Sequence, residues 1–203
     1  MRRVVFMDRL PLIHLQGESM KPTYLTPECC ALLVVDIQEV LMRVINQRQR
    51  VIKNADLLIK AANTLNIPII ATSQYAARIG EFPPELSAGL TKQPLDKMEF
   101  SCFNNREIVA AINDLPPNID TLIVCGVETH ICIYQTVLGG LMADYKMLIP
   151  ADAVSSRDAE NHKSGLARLR DIGGQIVNTE MVIYELLQKA GTPQFKELLP
   201  FLK

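Results

Sequence analysis

The stretch Ala31-Leu32-Leu33-Val34-Val35-Asp36 decides the fold, because an uninterrupted apolar run ends there at a carboxylate. A short, fully apolar run is typical of a strand that is covered on both faces, as in parallel sheets. Apolar residues then recur on one helical face, at positions 51, 52, 55, 58, 59, 62 and 65. Residues 68–72 follow as a second apolar strand. The pattern predicts a strand–helix–strand unit.

The same alternation continues to the end of the chain. Residues 121–125, 146–149 and 175–177 predict strands, and the intervening helices are predicted at 107–115, 129–143, 155–172 and 179–191. We therefore predict an α/β fold of three α/β/α layers, with a mostly parallel, doubly wound, Rossmann-like sheet of about six strands. Residues 74–103 are rich in glycine and proline, which indicates a long functional loop section.

The chain of 203 residues fits a single domain. We place that domain at residues 29–203 and interpret residues 1–28 as an N-terminal extension or arm. Two interpretations of the extension stay open. Either residues 1–19 precede the native start at Met20, or the segment is an ordered arm that takes part in oligomerisation.

Composition excludes several classes of function. The 21 basic and 22 acidic residues nearly balance, whereas a nucleic-acid binder needs a basic excess. No apolar run approaches the roughly 18 residues that span a bilayer. The five cysteines form no CxxC pair, so we expect a reducing compartment, the cytoplasm. The three histidines are scattered and predict no zinc site.

Cys132 is the first candidate for chemistry. It follows a predicted strand and a turn at Gly126, and it lies where the next helix begins. The free N–H groups and positive dipole of a helix N-terminus favour a thiolate and can stabilise an oxyanion. The alternative is an inert, buried cysteine, which is our interpretation of the other four.

Asp36 and Lys97 are the other candidates. A carboxylate that ends an apolar strand needs partners, or its pKa rises, and either result suits a general base. The alternative role for Asp36 is a helix N-cap. Lys97 lies among charged residues, which by itself is typical of a solvated surface lysine. Ligands of parallel sheets bind at the carboxyl ends of strands, where Asp36, residues 72–74 and residues 126–132 are predicted.

Three motifs together carry a family resemblance. They are Val34-Val35-Asp36-Ile37-Gln38, the Lys-x-x-Phe-Ser-x-Phe pattern of residues 97–103, and the Gly-Val-Glu-Thr-x-x-Cys-x-x-x-Thr pattern of residues 126–136. In this order the chain resembles the isochorismatase-like family of cysteine hydrolases, over residues 30–195. Residues 126–132, 151–157 and 193–197 are most similar to the isochorismatase domain-containing proteins.

The resemblance implies a Cys132–Asp36–Lys97 triad. Asp36 would take the thiol proton and later activate water, and Lys97 would hold Asp36 and stabilise the thiolate. The family also has a cis peptide before the nucleophile, which corresponds here to Val127–Glu128. That bond would direct the backbone N–H of Glu128, together with that of Cys132, to an oxyanion hole.

One difference from the nicotinamidases of this family argues against a metal site. Nicotinamidases follow the second strand with an aspartate and histidines that bind a metal, but residues 72–78 contain neither a histidine nor a carboxylate. We therefore expect no metal and no cofactor. Gln74, Tyr75, Phe100 and Phe103 are predicted to line a substrate pocket, with loop anchoring as the alternative for the two phenylalanines.

These expectations define a predicted function. The chain would hydrolyse a small amide or related carbonyl compound through a thioester on its cysteine. Its partners would be a small-molecule substrate and further copies of itself, as a dimer, a tetramer or larger, with neither nucleic acid nor membrane. The alternative is a catalytically idle binding or scaffold protein that retains the fold.

Overall fold

A computed structural model describes residues 24–202, and the strands of this region form one sheet between two helical layers. The predicted alternative start and all but the last residues of the predicted arm, 1–28, lie outside the described residues. Among the helices of residues 24–202, none combines the length and apolar character needed to cross a membrane.

The sheet has seven strands, and every strand pair is parallel. The spatial order is β3-β2-β1-β4-β5-β7, and β6 pairs with the end of β4. The predicted parallel α/β fold is confirmed, with seven strands where about six were predicted. Two strands, β3 and β6, are too short for an apolar pattern to indicate them. The strands are β1 (Cys30–Val35), β2 (Ile69–Gln74), β3 (Leu95–Lys97), β4 (Thr121–Val127), β5 (Lys146–Pro150), β6 (Val154–Ser155) and β7 (Gln175–Val177).

Helices connect and cover these strands. Most predicted helices are present, although the one that begins at Thr129 opens with a π-helical segment, Thr129–Ile133. The α-helices are α1 (Glu39–Met42), α2 (Arg48–Thr64), α3 (Ala76–Ile79), α4 (Pro84–Ser87), α5 (Arg106–Asn113), α6 (Tyr134–Met142), α7 (Ala159–Asp171), α8 (Thr179–Leu187) and α9 (Pro193–Leu198). Short 3₁₀ turns lie at Pro27–Cys29, Cys102–Asn104 and Leu199–Phe201.

Alternate residues of β1 belong to two different cores. Leu32 and Val34 pack with residues of α2, α8 and α9, whereas Leu33 and Val35 pack with residues of α5 and α6. All six residues of β1 are buried, because successive side chains of a strand point to opposite faces and both faces are covered. The continuous apolar run is thereby explained.

The order of the strands changes direction next to β1. The chain continues from β1 to β2 and β3 on one side, and β4, β5 and β7 lie on the other. The carboxyl ends of β1 and β4 therefore flank a switch point, the usual ligand position in such sheets. Gly126 lies there with φ +122°, and a Cβ at this position would clash with the backbone of Val35. Only glycine allows the two strand ends to approach so closely.

Candidate active site

Three strand ends bring the predicted triad together. Asp36 follows β1, Lys97 ends β3, and Cys132 lies in the π-helical segment after β4. The Lys97 Nζ donates to Asp36 Oδ2 over 2.6 Å, and the Cys132 thiol is within hydrogen-bonding reach of the Asp36 carboxyl. All three residues are buried. These side chains therefore form one contiguous cluster at the switch point.

Asp36 is held in place by its neighbour strand. Its backbone has φ 54°, a left-handed conformation that aspartate tolerates better than most residues, and its N–H donates to the Thr72 carbonyl over 3.0 Å. The Thr72 hydroxyl donates to Asp36 Oδ1 over 2.9 Å. The alternative role as a helix N-cap is wrong, because α1 begins at Glu39 and Gln38 occupies its N-cap position.

Lys97 is the largest fully buried side chain in the described chain. Its ammonium donates to Asp36 Oδ2 and, over 2.7 Å, to Gln74 Oε1. The interpretation of a solvated surface lysine is therefore wrong. A buried ammonium requires an opposite charge and hydrogen-bond acceptors, and the ends of β1 and β2 supply both.

The Cys132 thiol does not have the lowered pKa that a helix N-terminus alone would favour. Burial and the neighbouring Asp36 carboxylate raise the pKa of the thiol to about 12, against a smaller opposing effect of Lys97. Burial likewise raises the pKa of Asp36, although Lys97 and the hydrogen bonds to its carboxylate act in the opposite direction. Loss of the protons of both Asp36 and Cys132 would therefore place two negative charges in one buried site, which is unfavourable.

The segment before Cys132 has an unusual backbone. The peptide bond between Val127 and Glu128 is cis. The Glu128 carbonyl accepts the N–H groups of Ile131 and Ile133, over 3.0 and 3.2 Å, and so holds the start of the π-helical segment. The Glu128 side chain accepts the backbone N–H of Arg157 over 2.8 Å and forms an ion pair with the Arg157 guanidinium at 3.4 Å.

The four predicted pocket residues lie in different environments. Gln74 uses its side chain to bind Lys97 and, over 2.9 Å, the Met98 carbonyl. Tyr75 and Phe100 are 39% and 52% exposed, so both rings are accessible to solvent. Phe103 is buried against Tyr145, with ring centroids 6.2 Å apart, which fits the alternative of loop anchoring.

Two polar residues at the site received no role from the sequence. Thr72 binds the proposed base directly, and Gln38 hydrogen-bonds to the backbone of Gln74 and Gly80. Both residues lie at strand ends, and Gln38 belongs to the first motif. Their positions in the sequence could therefore have indicated a role at the site. Within residues 24–202, no group of three or more histidine, cysteine, aspartate or glutamate side chains is arranged to hold a metal ion.

Comparisons with known proteins agree with this fold and these motifs. The family model described as the isochorismatase domain matches residues 30–181. The secreted isochorismatase effector Isc1 of Phytophthora sojae is 34% identical over 183 residues, which cover 88% of this chain and 87% of that protein. Isochorismatase domain-containing protein 2 of Danio rerio is 37% identical over 171 residues, with 84% and 85% covered.

A solved structure supports the architecture at lower sequence identity. The YcaC gene product of Escherichia coli, described as an octameric hydrolase of unknown specificity, superimposes with a TM-score of 0.80. The two sequences are 22% identical, and the match covers 89% of this chain and 94% of the other. At this identity the likeness establishes the fold alone.

Proposed function

Because the chain belongs to the isochorismatase family of hydrolases, we propose that it cleaves a small amide or related carbonyl compound through a thioester on Cys132. One observation carries the proposal. A single buried carboxylate, that of Asp36, contacts both the Cys132 thiol and the Lys97 ammonium. A nucleophile beside a base that is itself paired with a positive charge provides the components of nucleophilic catalysis.

The first half of the proposed reaction forms the thioester. Asp36 accepts the thiol proton while the sulfur of Cys132 attacks the substrate carbonyl carbon. The carbonyl oxygen becomes negatively charged, and the N–H groups of Glu128 and Cys132 are the proposed donors to it. When the tetrahedral intermediate collapses, the carbon–nitrogen bond breaks and Asp36 returns its proton to the leaving amine.

The second half releases the acid. Asp36, again a carboxylate, removes a proton from a water molecule that attacks the thioester. The carbon–sulfur bond then breaks, and the proton on Asp36 returns to the Cys132 sulfur. Lys97 remains charged throughout in this proposal, so it stabilises Asp36 and the thiolate without donating a proton of its own.

The proposal also covers the cellular location, the oligomeric state and the substrate contacts of the protein. All five cysteines are free thiols, which suits a reducing compartment, so we propose a cytoplasmic location although the Phytophthora relative is named as secreted. We also propose a homo-oligomer, because the structural neighbour YcaC is described as octameric. Tyr75 and Phe100, whose rings are exposed, are the proposed substrate contacts.

The direct test is hydrolysis of a panel of small primary amides and N-carbamoyl compounds, followed by ammonia release. We expect turnover of at least one compound. Acid quenching during turnover should add the mass of its acyl group to the peptide that contains Cys132. A thioester is cleaved by hydroxylamine, which should restore the original mass. Turnover without an adduct on this peptide, even under rapid quenching, would contradict the thioester route.

The pH dependence of Cys132 alkylation separates the enzyme from an idle scaffold. An ordinary thiol alkylates about tenfold faster per pH unit below its pKa. Cys132 should instead react at a rate that changes less than about threefold between about pH 6.5 and 8.5, since Asp36 accepts its proton internally. The rate should fall at lower pH, where Asp36 takes a proton from solvent, at a midpoint above an ordinary aspartate pKa.

The measurement is the rate of iodoacetamide labelling of the Cys132 peptide by mass spectrometry, because Cys29 is half-buried and also reacts. A tenfold change per pH unit across the whole range would mean that Asp36 does not act as the base. That result favours the scaffold alternative.

A further inference from the structure

Lys97 lies on β3, a strand that few backbone contacts hold in the sheet. It has three residues, lies at the edge of the sheet, and pairs only with Thr72–Gln74 of β2. A strand with one partner and three pairs contributes little rigidity of its own. Lys97 also has the longest side chain of the triad, so the position of its ammonium depends on contacts at its far end.

Gln74 binds the ammonium of that side chain and the backbone of the next residue. Its Oε1 accepts from the Lys97 ammonium over 2.7 Å, and its Nε2 donates to the carbonyl of Met98, the next residue, over 2.9 Å. One amide therefore fixes the charged group and the backbone that follows it. The Tyr75 N–H adds a bond to the Lys97 carbonyl over 3.0 Å.

Gln38 in turn holds Gln74. Its fully buried side chain accepts the Gln74 N–H over 2.8 Å and donates to the Gln74 carbonyl over 3.1 Å and the Gly80 carbonyl over 2.6 Å. Gln38 lies two residues after Asp36. The hydrogen bonds thus close a ring that runs from Asp36 to Gln38, Gln74, Lys97 and back to Asp36.

An amide suits this ring better than a charged side chain would. The Lys97 ammonium has three donors, and a neutral oxygen satisfies one of them without adding negative charge. A carboxylate at position 74 would compete with Asp36 for the same ammonium. With glutamine, the buried site contains one cation and one carboxylate in direct contact.

We propose that Gln38 and Gln74, the glutamine pair, are positioning residues that keep the Lys97 ammonium against the catalytic carboxylate. This inference rests on the proposed function for the role of Asp36 as base. The charged and titratable groups that face Asp36 are Lys97 and Cys132, with Cys102 buried nearby. The pair thereby sets how strongly Asp36 binds a proton, although neither glutamine touches the substrate carbonyl in the proposed mechanism.

The test replaces Gln74 with methionine, which keeps the length of the side chain and removes its oxygen acceptor. If the ammonium is no longer held, Asp36 loses part of the nearby positive charge, and the acid midpoint of Cys132 alkylation should rise by about one pH unit. In the Gln38→Met variant the midpoint should rise by a smaller amount. The Gln38 side chain binds only the backbone of Gln74 and Gly80. A shift of the midpoint in this variant would therefore show that Gln38 affects Asp36 through Gln74.

Alkylation needs no substrate, so the test can be read even when the amide panel fails. Where an amide substrate is available, kcat for Gln74→Met should fall about tenfold while KM stays within about twofold. Gln175→Leu, at an exposed glutamine on β7, is the control and should change neither quantity. A lower melting temperature with an unmoved alkylation midpoint in both variants would reduce the pair to a structural role and overturn the proposal. A wild-type profile without a plateau contradicts the proposed function itself.

Discussion

Replacing Cys132 with alanine is expected to lower kcat by at least about 10³-fold, because removing a catalytic nucleophile leaves only the contribution of binding and oxyanion stabilisation. The fold should persist, since the substitution removes a single sulfur atom from a residue that is 8% exposed. The measurement is ammonia release at saturating substrate, with circular dichroism to verify folding. Cys132→Ser should be nearly as inactive, since a hydroxyl loses its proton far less readily than a thiol.

The matched control is Cys29→Ala. Cys29 is also a free thiol, but it lies before β1 and donates to the Thr26 carbonyl, outside the site. Its removal should leave kcat within about twofold of the wild type. Retention of more than about a tenth of the activity in Cys132→Ala would assign the chemistry to another group.

The largest effect on stability is expected for Lys97→Met. Methionine has a similar length but no charge, so this change leaves Asp36 as a buried carboxylate without a counter-ion. We expect a loss of about 3–5 kcal/mol in the free energy of unfolding. The loss should be greatest above neutral pH. Without Lys97 the folded-state pKa of Asp36 rises further above its unfolded value, so the native variant binds a proton more tightly than the unfolded chain does. The deficit should therefore shrink as the pH falls through the folded-state pKa.

Urea unfolding at several pH values measures this difference. The double variant Asp36→Asn/Lys97→Met removes both charges and should recover a large part of the loss, whereas two independent sites would show additive losses. Lys163→Met, at an exposed lysine of α7, is the control and should stay within about 0.5 kcal/mol of the wild type. A loss for Lys97→Met no larger than this control would show that the pair is not stabilised by mutual charge.

The strands that carry the site were predictable to different degrees. β1 and β4 are central, and their unbroken apolar runs follow directly from burial on both faces. β3 was hidden in a section predicted to be loops, because Leu95-Asp96-Lys97 has no apolar periodicity. Its place in the sheet depends on pairing with β2, which is a tertiary contact. The charged surroundings of Lys97 therefore favoured a solvated surface lysine, and only the family resemblance gave this candidate a role in a triad.

The helix α6 forms although two of its residues have a low helix propensity. Gly139 and Gly140 weaken a predicted helix, yet α6 continues to Met142. A Cβ at Gly139 would lie 2.7 Å from the Cβ of Phe103, and one at Gly140 would meet the Met147 side chain. The glycines allow close packing of the helix on its neighbours, and that packing stabilises the helix more than the glycines destabilise it.

The electrostatic state of the thiol was the least predictable property. The position of Cys132 at the start of a helical segment favoured a lowered pKa, but the side chains that determine it come from Asp36 and Lys97, far away in sequence. The burial of the Cys132 thiol was likewise not predictable from the sequence. The sequence motifs could indicate which residues take part, whereas the direction of the shift depended on how deeply the fold encloses them.

The dispersal of Asp36, Lys97 and Cys132 over the carboxyl ends of three strands has a consequence for biosynthesis. β1 and β3 are synthesised before the cysteine is added to the chain, and the thiol meets its proposed base only when β4 docks against β1. Until that moment the nascent polypeptide carries an unassisted sulfhydryl group. Reactivity is thus acquired when the centre of the sheet assembles, and any contiguous fragment of the chain that contains the three groups also contains β2, β3 and β4.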